Sequence, residues 1–122
     1  MEDTNTADKK FLKELSAGIV ALVLLSVLDR ADQPVYGYRI AKIVEASRES
    51  VSMMKQGALY PVLRSLENSG LLKSKVEPSV SGPPRRYYSI TDPGKRTLGR
   101  WTKIWGGTKA FVDSTLEGVE RD

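Results

Sequence analysis

Neither cysteine nor histidine occurs in the chain. Without cysteine there is no disulfide framework and no thiolate metal site, which makes a cytosolic setting the simpler one. Without histidine, the usual zinc ligand, the commonest general base and every Ser/His or Cys/His nucleophile pair are missing as well. Carboxylates, lysines and tyrosines remain, and no spacing of them suggests an active site, so the expectation is a non-enzyme with no cofactor and no metal. The longest charge-free run, Leu15 to Leu28, falls short of the roughly 20 residues that a bilayer requires. Residues 1–7 are acidic and polar where a secretory signal would be basic. The expected location is therefore cytoplasmic, with no membrane partner.

What the chain does hold is enough apolar residue, 40% of 122 positions, for one modest core. Charge is unevenly spread. Between Lys55 and Lys109 eleven Lys/Arg stand against three acids, a local charge of +8, while the remainder carries −4. A basic middle between acidic ends suits a polyanionic partner.

Periodicity predicts mainly helices with one small hairpin. A first helix is expected over about Asp8 to Asp29, capped by Asp8 or a nearby Thr, and its apolar stretch calls for burial among other helices. After a loop at ADQPV, a second helix fits Gly37 to Arg48, with Ile40, Ile43, Val44 and Ser47 inward. A third starts near Gln56 or Gly57, because Pro61 is tolerated only in a first turn, and ends at Gly70 in a left-handed cap. Its outer face presents Gly57, Tyr60, Arg64 and Asn68, with Lys55 just ahead; tyrosine, arginine and polar groups there suit phosphates and base edges. Alternation then predicts two short strands joined by PSVSGPP. Leu72, Ser74 and Val76 face one way and Lys73, Lys75 and Glu77 the other, with Tyr88 and Ile90 inward and Arg85, Tyr87 and Ser89 outward. Thr91 is the expected cap of a last helix whose seam runs Leu98, Trp101, Trp105, Thr108, Val112, Leu116 and Val119. Gly106 and Gly107 interrupt that seam, as a kink or as a point of close backbone approach.

The segments YGYRIAKIV, GALYPVLRSLENSGLL and PPRRYYSITDPGKRTL, in that order, resemble the PadR family of transcriptional regulators, in particular its short members with one C-terminal dimerisation helix. The likeness extends from about Leu15 to Leu98. It implies a winged helix-turn-helix over residues 1–92 and a dimerisation helix over 93–122. It further implies a homodimeric, sequence-specific regulator, a repressor by expectation, that binds a roughly palindromic double-stranded DNA operator. The third helix would enter the major groove, placing Gln56, Gly57, Tyr60 and Arg64 at the DNA, with Tyr38 near the start of the second helix and Arg85 and Arg86 on the wing. Lys55, Lys73 and Lys75 complete the expected cationic set. Dimerisation is expected through Leu98, Trp101, Trp105, Val112 and Leu116, helped by Leu12 and Leu15 of the first helix. Some short relatives bind planar aromatic compounds between subunits through a tryptophan of the last helix, a part open to Trp101 or Trp105.

Each site has a plainer alternative. Tyr60 packs its ring against the wing, Arg85 and Arg86 form an ordinary solvated edge, the tryptophans are interface core, and Asp113, Glu117 and Glu120, whose helical spacing could suggest a metal, are a solvated face. Two rival functions follow: a winged-helix module that binds protein and never DNA, or a sensor whose main activity is binding planar aromatic molecules.

Overall fold

The computed structural model describes the backbone of residues 2–45 and 59–119, with side chains from residue 6 onward. Lys55, Gln56 and Gly57, the predicted start of the third helix, and Ser47 and Arg48 lie outside the described residues. The elements are α1 (Glu2–Arg30), β1 (Val35–Tyr36), α2 (Gly37–Val44), α3 (Leu59–Asn68), β2 (Leu72–Ser79), β3 (Gly82–Ile90) and α4 (Asp92–Leu116). The fold is mainly helical, with a three-stranded antiparallel sheet in the order β1-β3-β2.

One stripe of each helix builds the core. Val20, Leu24, Leu25 and Leu28 of α1, Ile40 and Val44 of α2, and Leu59, Leu63 and Leu66 of α3 are buried against Leu72 and Tyr88 of the sheet. The three- and four-residue spacing is what puts each set on one face. Burying each such side chain stabilises the fold by about 1.5–3 kcal/mol. Thr6–Arg30 is by composition long and apolar enough to cross a membrane, so the expectation drawn from the uncharged run alone was too strict. Core helices pass the same test, and α1 supplies four of the core residues named here.

Gly70 closes α3 as the sequence predicts. At φ +80° it allows the amide of Leu71 to donate to the carbonyl of Leu66 and its own amide to that of Glu67, the paired bonds of a Schellman cap. Thr91 opens α4: its hydroxyl accepts from the amide of Gly94 at 3.0 Å and donates to the carbonyl of Gly70 at 2.7 Å. The end of α3 and the start of α4 are thereby tied together.

Several expectations are corrected. Helix α1 begins at Glu2, well ahead of Asp8. The predicted loop before α2 contains β1, a two-residue strand paired to β3 through Val35↔Tyr88 and Tyr36↔Tyr87. Ile43 is 40% exposed because the core reaches only the face carrying Ile40 and Val44. The hairpin strands run to eight and nine residues, through the prolines, with an irregularity between Glu77 and Ser79. Val76 is exposed beyond the reach of α3, and Tyr87 is half-buried because β1 flanks it.

Helix α4 changes character along its length. Gly94 and Thr97 are buried, and Leu98 and Trp101 pack on the core. From Thr102 to Val119 every residue is exposed in the single chain. The helix continues through Gly106 and Gly107, and among the described residues nothing lies within 4 Å of where a Cβ of either would stand.

Candidate nucleic-acid interface

The register of the hairpin decides where its cations go. Antiparallel partners share a face, so Lys73 and Ser89, Lys75 and Tyr87, and Glu77 and Arg85 belong to one side of the sheet, while Ser74, Val76, Arg86 and Tyr88 belong to the other. The second side meets α3. Ser74 Oγ donates to Glu67 Oε2 at 2.6 Å, and Arg86 Nη1 donates to Ser74 Oγ at 2.9 Å. Arg86 is thus held to α3 through a bridging hydroxyl, whereas Arg85 leans the opposite way. Adjacent in sequence, the two arginines serve different faces.

On the α3 side, Arg64 is exposed and has no acidic partner among the described residues. Tyr60 is 46% exposed, and its ring lies against Gly37 at the start of α2. The neighbour the structure gives this ring is therefore α2, where the plainer alternative has the wing. Glu67 and Ser74, which no sequence signal singled out, join Tyr60, Arg64 and Arg86 here; only the register and the ending of α3 could have revealed them.

On the outer side, the guanidinium carbon of Arg85 sits 4.4 Å from the ring centroid of Tyr36. That ring is 5.6 Å from the ring of Tyr87 and stacked at 6.4 Å with Tyr38, over which the Lys42 ammonium stands at 5.2 Å. Tyr38 is thus one of the aromatic and cationic groups beside the wing, and Tyr36, Tyr87 and Lys42 are additions to the sequence reading. Lys73 and Lys75 are exposed on this side, and Lys75 makes a loose 3.8 Å pair with Glu77. Such a surface pair is worth about 0–1 kcal/mol, too little to remove the lysine from other partners.

On the α3 side of the sheet Tyr88 is buried, 5% exposed. Burial raises its phenol above the usual 10.0, with Arg86 pulling the other way, Glu67 adding to the rise and Arg64 opposing it. The fold therefore favours the neutral phenol: this contribution is fully present below the unfolded value and is lost as pH climbs through the higher folded one. Stability measured by urea midpoints should decline above about pH 10, and less so for Tyr88→Phe; an unaltered decline in that variant would remove Tyr88 as its source.

Of the predicted interface residues, Leu15, Trp101 and Trp105 meet at a second place, while Leu98 packs on the core. Leu15, Ile19 and Leu22 of α1 and Trp101, Ile104 and Trp105 of α4 line an apolar groove of about 380 Å³. Leu12 is half-buried, while Leu15, Trp105, Val112 and Leu116 are each 41–42% exposed. Ile104 and Phe111, which sequence reasoning left out, are exposed at 62% and 68% and widen the apolar stripe of α4. Of the acidic trio, Asp113 accepts from Lys109 at 2.7 Å, Glu117 is exposed, and Glu120 lies outside the described residues. Among the described residues no group of three acids is placed to hold a metal.

Comparison with known proteins gives a consistent picture. Residues 24–100 match the model of the transcriptional regulator PadR-like family. A PadR family transcriptional regulator from Eggerthella lenta is similar in structure, with a TM-score of 0.76 and 30% identity over 97% of this chain and 99% of that one. A PadR family transcription regulator from Clostridium difficile gives a TM-score of 0.63 and 31% identity over 80% of this chain and 97% of its own. An uncharacterized protein from Lysinibacillus sphaericus is 27% identical over 107 residues, 88% of this chain and 96% of that protein.

Proposed function

The chain belongs to the PadR-like family of transcriptional regulators, and from that premise we propose that it is a sequence-specific double-stranded DNA-binding repressor, acting in the cytoplasm as a homodimer on a roughly palindromic operator. The observation that carries this reading is the surface where α3 meets the hairpin: Tyr60 and Arg64 exposed on the helix, with Arg86 beside them and Arg85, Lys73 and Lys75 on the wing. Arginine can reach guanine edges with two bonds, and the lysines can neutralise phosphates. Two copies of α3 related by a twofold axis would read major grooves about 34 Å apart, and occupancy of the site would exclude polymerase.

The homodimer is supported by the bare half of α4. A helical segment of this length that is exposed in its own chain is marginal in water unless its apolar stripe is covered, and the stripe from Trp105 to Leu116 is long enough for a second copy of α4 to cover it. In this reading residues 93–122 are the dimerisation segment, and membership of a family of transcriptional regulators supports a regulatory rather than an enzymatic role.

The test is a gel shift with duplex DNA. Arg64→Ala should weaken binding to a selected operator by about 5- to 150-fold, the usual range for a lost base-reading arginine, while the protein remains folded. Unchanged affinity would remove Arg64 from the reading surface, and absence of any binding to duplex at low salt would favour the protein-interaction rival.

A second reading, sensing of planar aromatic molecules, is favoured by the groove beside Trp101 and Trp105. Flat ligands stack on indoles, so quenching of tryptophan fluorescence by such compounds, abolished in Trp105→Ala, would support it; no quenching by any of them would remove it.

A further inference from the structure

The segment Tyr36–Gly37–Tyr38 stands between the two arms of the cationic surface, and each arm rests on it. A Cβ at position 37 would lie 2.9 Å from Cε1 of Tyr60, with Cδ1 and Cζ of the same ring at 3.7 and 3.9 Å. Real Cβ atoms are essentially never that close to a neighbour, so a side chain at residue 37 would make the half-exposed Tyr60 ring shift from this position, a small move for a side chain with solvent on its other face. From the other side, Arg85 stacks on Tyr36, and Tyr36 is fixed to the wing by its pairing with Tyr87 in β3. Tyr36 is the last extended residue before α2, at φ −82° and ψ 157°, and its side chain makes no capping bond. Its ring is therefore not engaged in closing the helix and is committed to Arg85, Tyr87 and Tyr38.

We propose that Tyr36 and Gly37 are positioning residues for DNA recognition: together they form the joint that fixes Tyr60 of the reading helix and Arg85 of the wing relative to one another. The inference rests on the DNA-binding reading. In it, neither residue needs to touch DNA; Gly37 acts through where Tyr60 lies, and Tyr36 through where Arg85 points. A cation held against a ring loses fewer conformations on meeting a phosphate than a free one.

Two double-mutant cycles on the full-length protein test the joint, read as affinity for a duplex enriched from random DNA by the unsubstituted protein. Gly37→Ala should weaken binding on the order of tenfold in the normal background and cause no further loss in a Tyr60→Ala background. Its salt dependence should match that of the unsubstituted protein, because no phosphate contact is lost. Tyr36→Leu should weaken binding by about threefold, in line with an exposed cation–ring contact, and add nothing to Arg85→Ala, while Tyr36→Phe retains full affinity. Equal losses in both backgrounds, or a Gly37→Ala protein that binds normally, would overturn the joint. If Gly37→Ala fails to fold, the Tyr36 and Arg85 cycle decides alone. Should the unsubstituted protein enrich no duplex, the DNA-binding reading falls and this inference with it; additive cycles in a protein that does bind DNA sink only the joint.

Discussion

Gly94→Ala is expected to destabilise the fold by about 3 kcal/mol or more, at the upper end of what a single overpacking substitution costs. A Cβ there would stand 2.1 Å from the carbonyl oxygen of Leu71 and 2.7 Å from Cγ1 of Ile90. The oxygen cannot swing aside. It accepts from the amide of Thr91 at 3.1 Å, while the Thr91 hydroxyl spans the Gly70 carbonyl and the Gly94 amide. Relief therefore requires opening the junction that ties α3 to α4. In a domain of this size the loss should lower the melting temperature by roughly 10 °C or more. Gly99→Ala is the matched control: among the described residues nothing lies within 4 Å of its Cβ position, and alanine in a helix interior should stabilise by up to about 1 kcal/mol. A Gly94→Ala protein that melts with the unsubstituted one would mean that the junction is looser than described.

The second large effect is expected on assembly. Val112→Lys combined with Leu116→Lys should leave the core of each chain folded, because both side chains stand on the exposed part of α4, away from that core. It should nonetheless split the homodimer proposed above, since two ammonium groups per chain would have to be buried in the proposed seam. Losing the link between two reading heads removes their effective concentration at the second half-site, so affinity for a two-half-site duplex should fall on the order of a hundredfold or more. Sedimentation or light scattering gives the mass and anisotropy the affinity. A variant that keeps the dimer mass would show that the seam runs elsewhere on α4 or α1.

What the sequence made legible is what local chemistry determines. Gly70 ends α3 and Thr91 caps α4 because each acts on backbone groups within a few residues, and Leu59, Leu63 and Leu66 declare their helix by spacing alone. Features that depend on distant partners were invisible. Strand β1 is two residues whose only signature is their pairing with Tyr87 and Tyr88. The opposed directions of Arg85 and Arg86 follow from alternation, but the bond from Arg86 to Ser74 and onward to Glu67 depends on how the hairpin lies against α3. Likewise, nothing in the run TDPGK reveals that its glycine faces the Leu71 carbonyl, or in YGY that its glycine lies under Tyr60. Of the candidate site, Tyr38, Tyr60, Arg64, Lys73, Lys75, Arg85 and Arg86 were named from sequence, whereas Tyr36, Lys42, Glu67 and Ser74 needed the fold.

Titrating a fluorescent duplex, enriched from random DNA, with full-length protein between about 50 and 200 mM salt probes the cationic surface most directly. Affinity should fall linearly on a log–log plot with a slope of about −0.9 per phosphate neutralised. The slope should become shallower when Arg85 and Arg86 are both replaced by alanine. Affinity that stays level across that range, or a slope indifferent to the loss of both wing arginines, would contradict duplex binding through α3 and the hairpin.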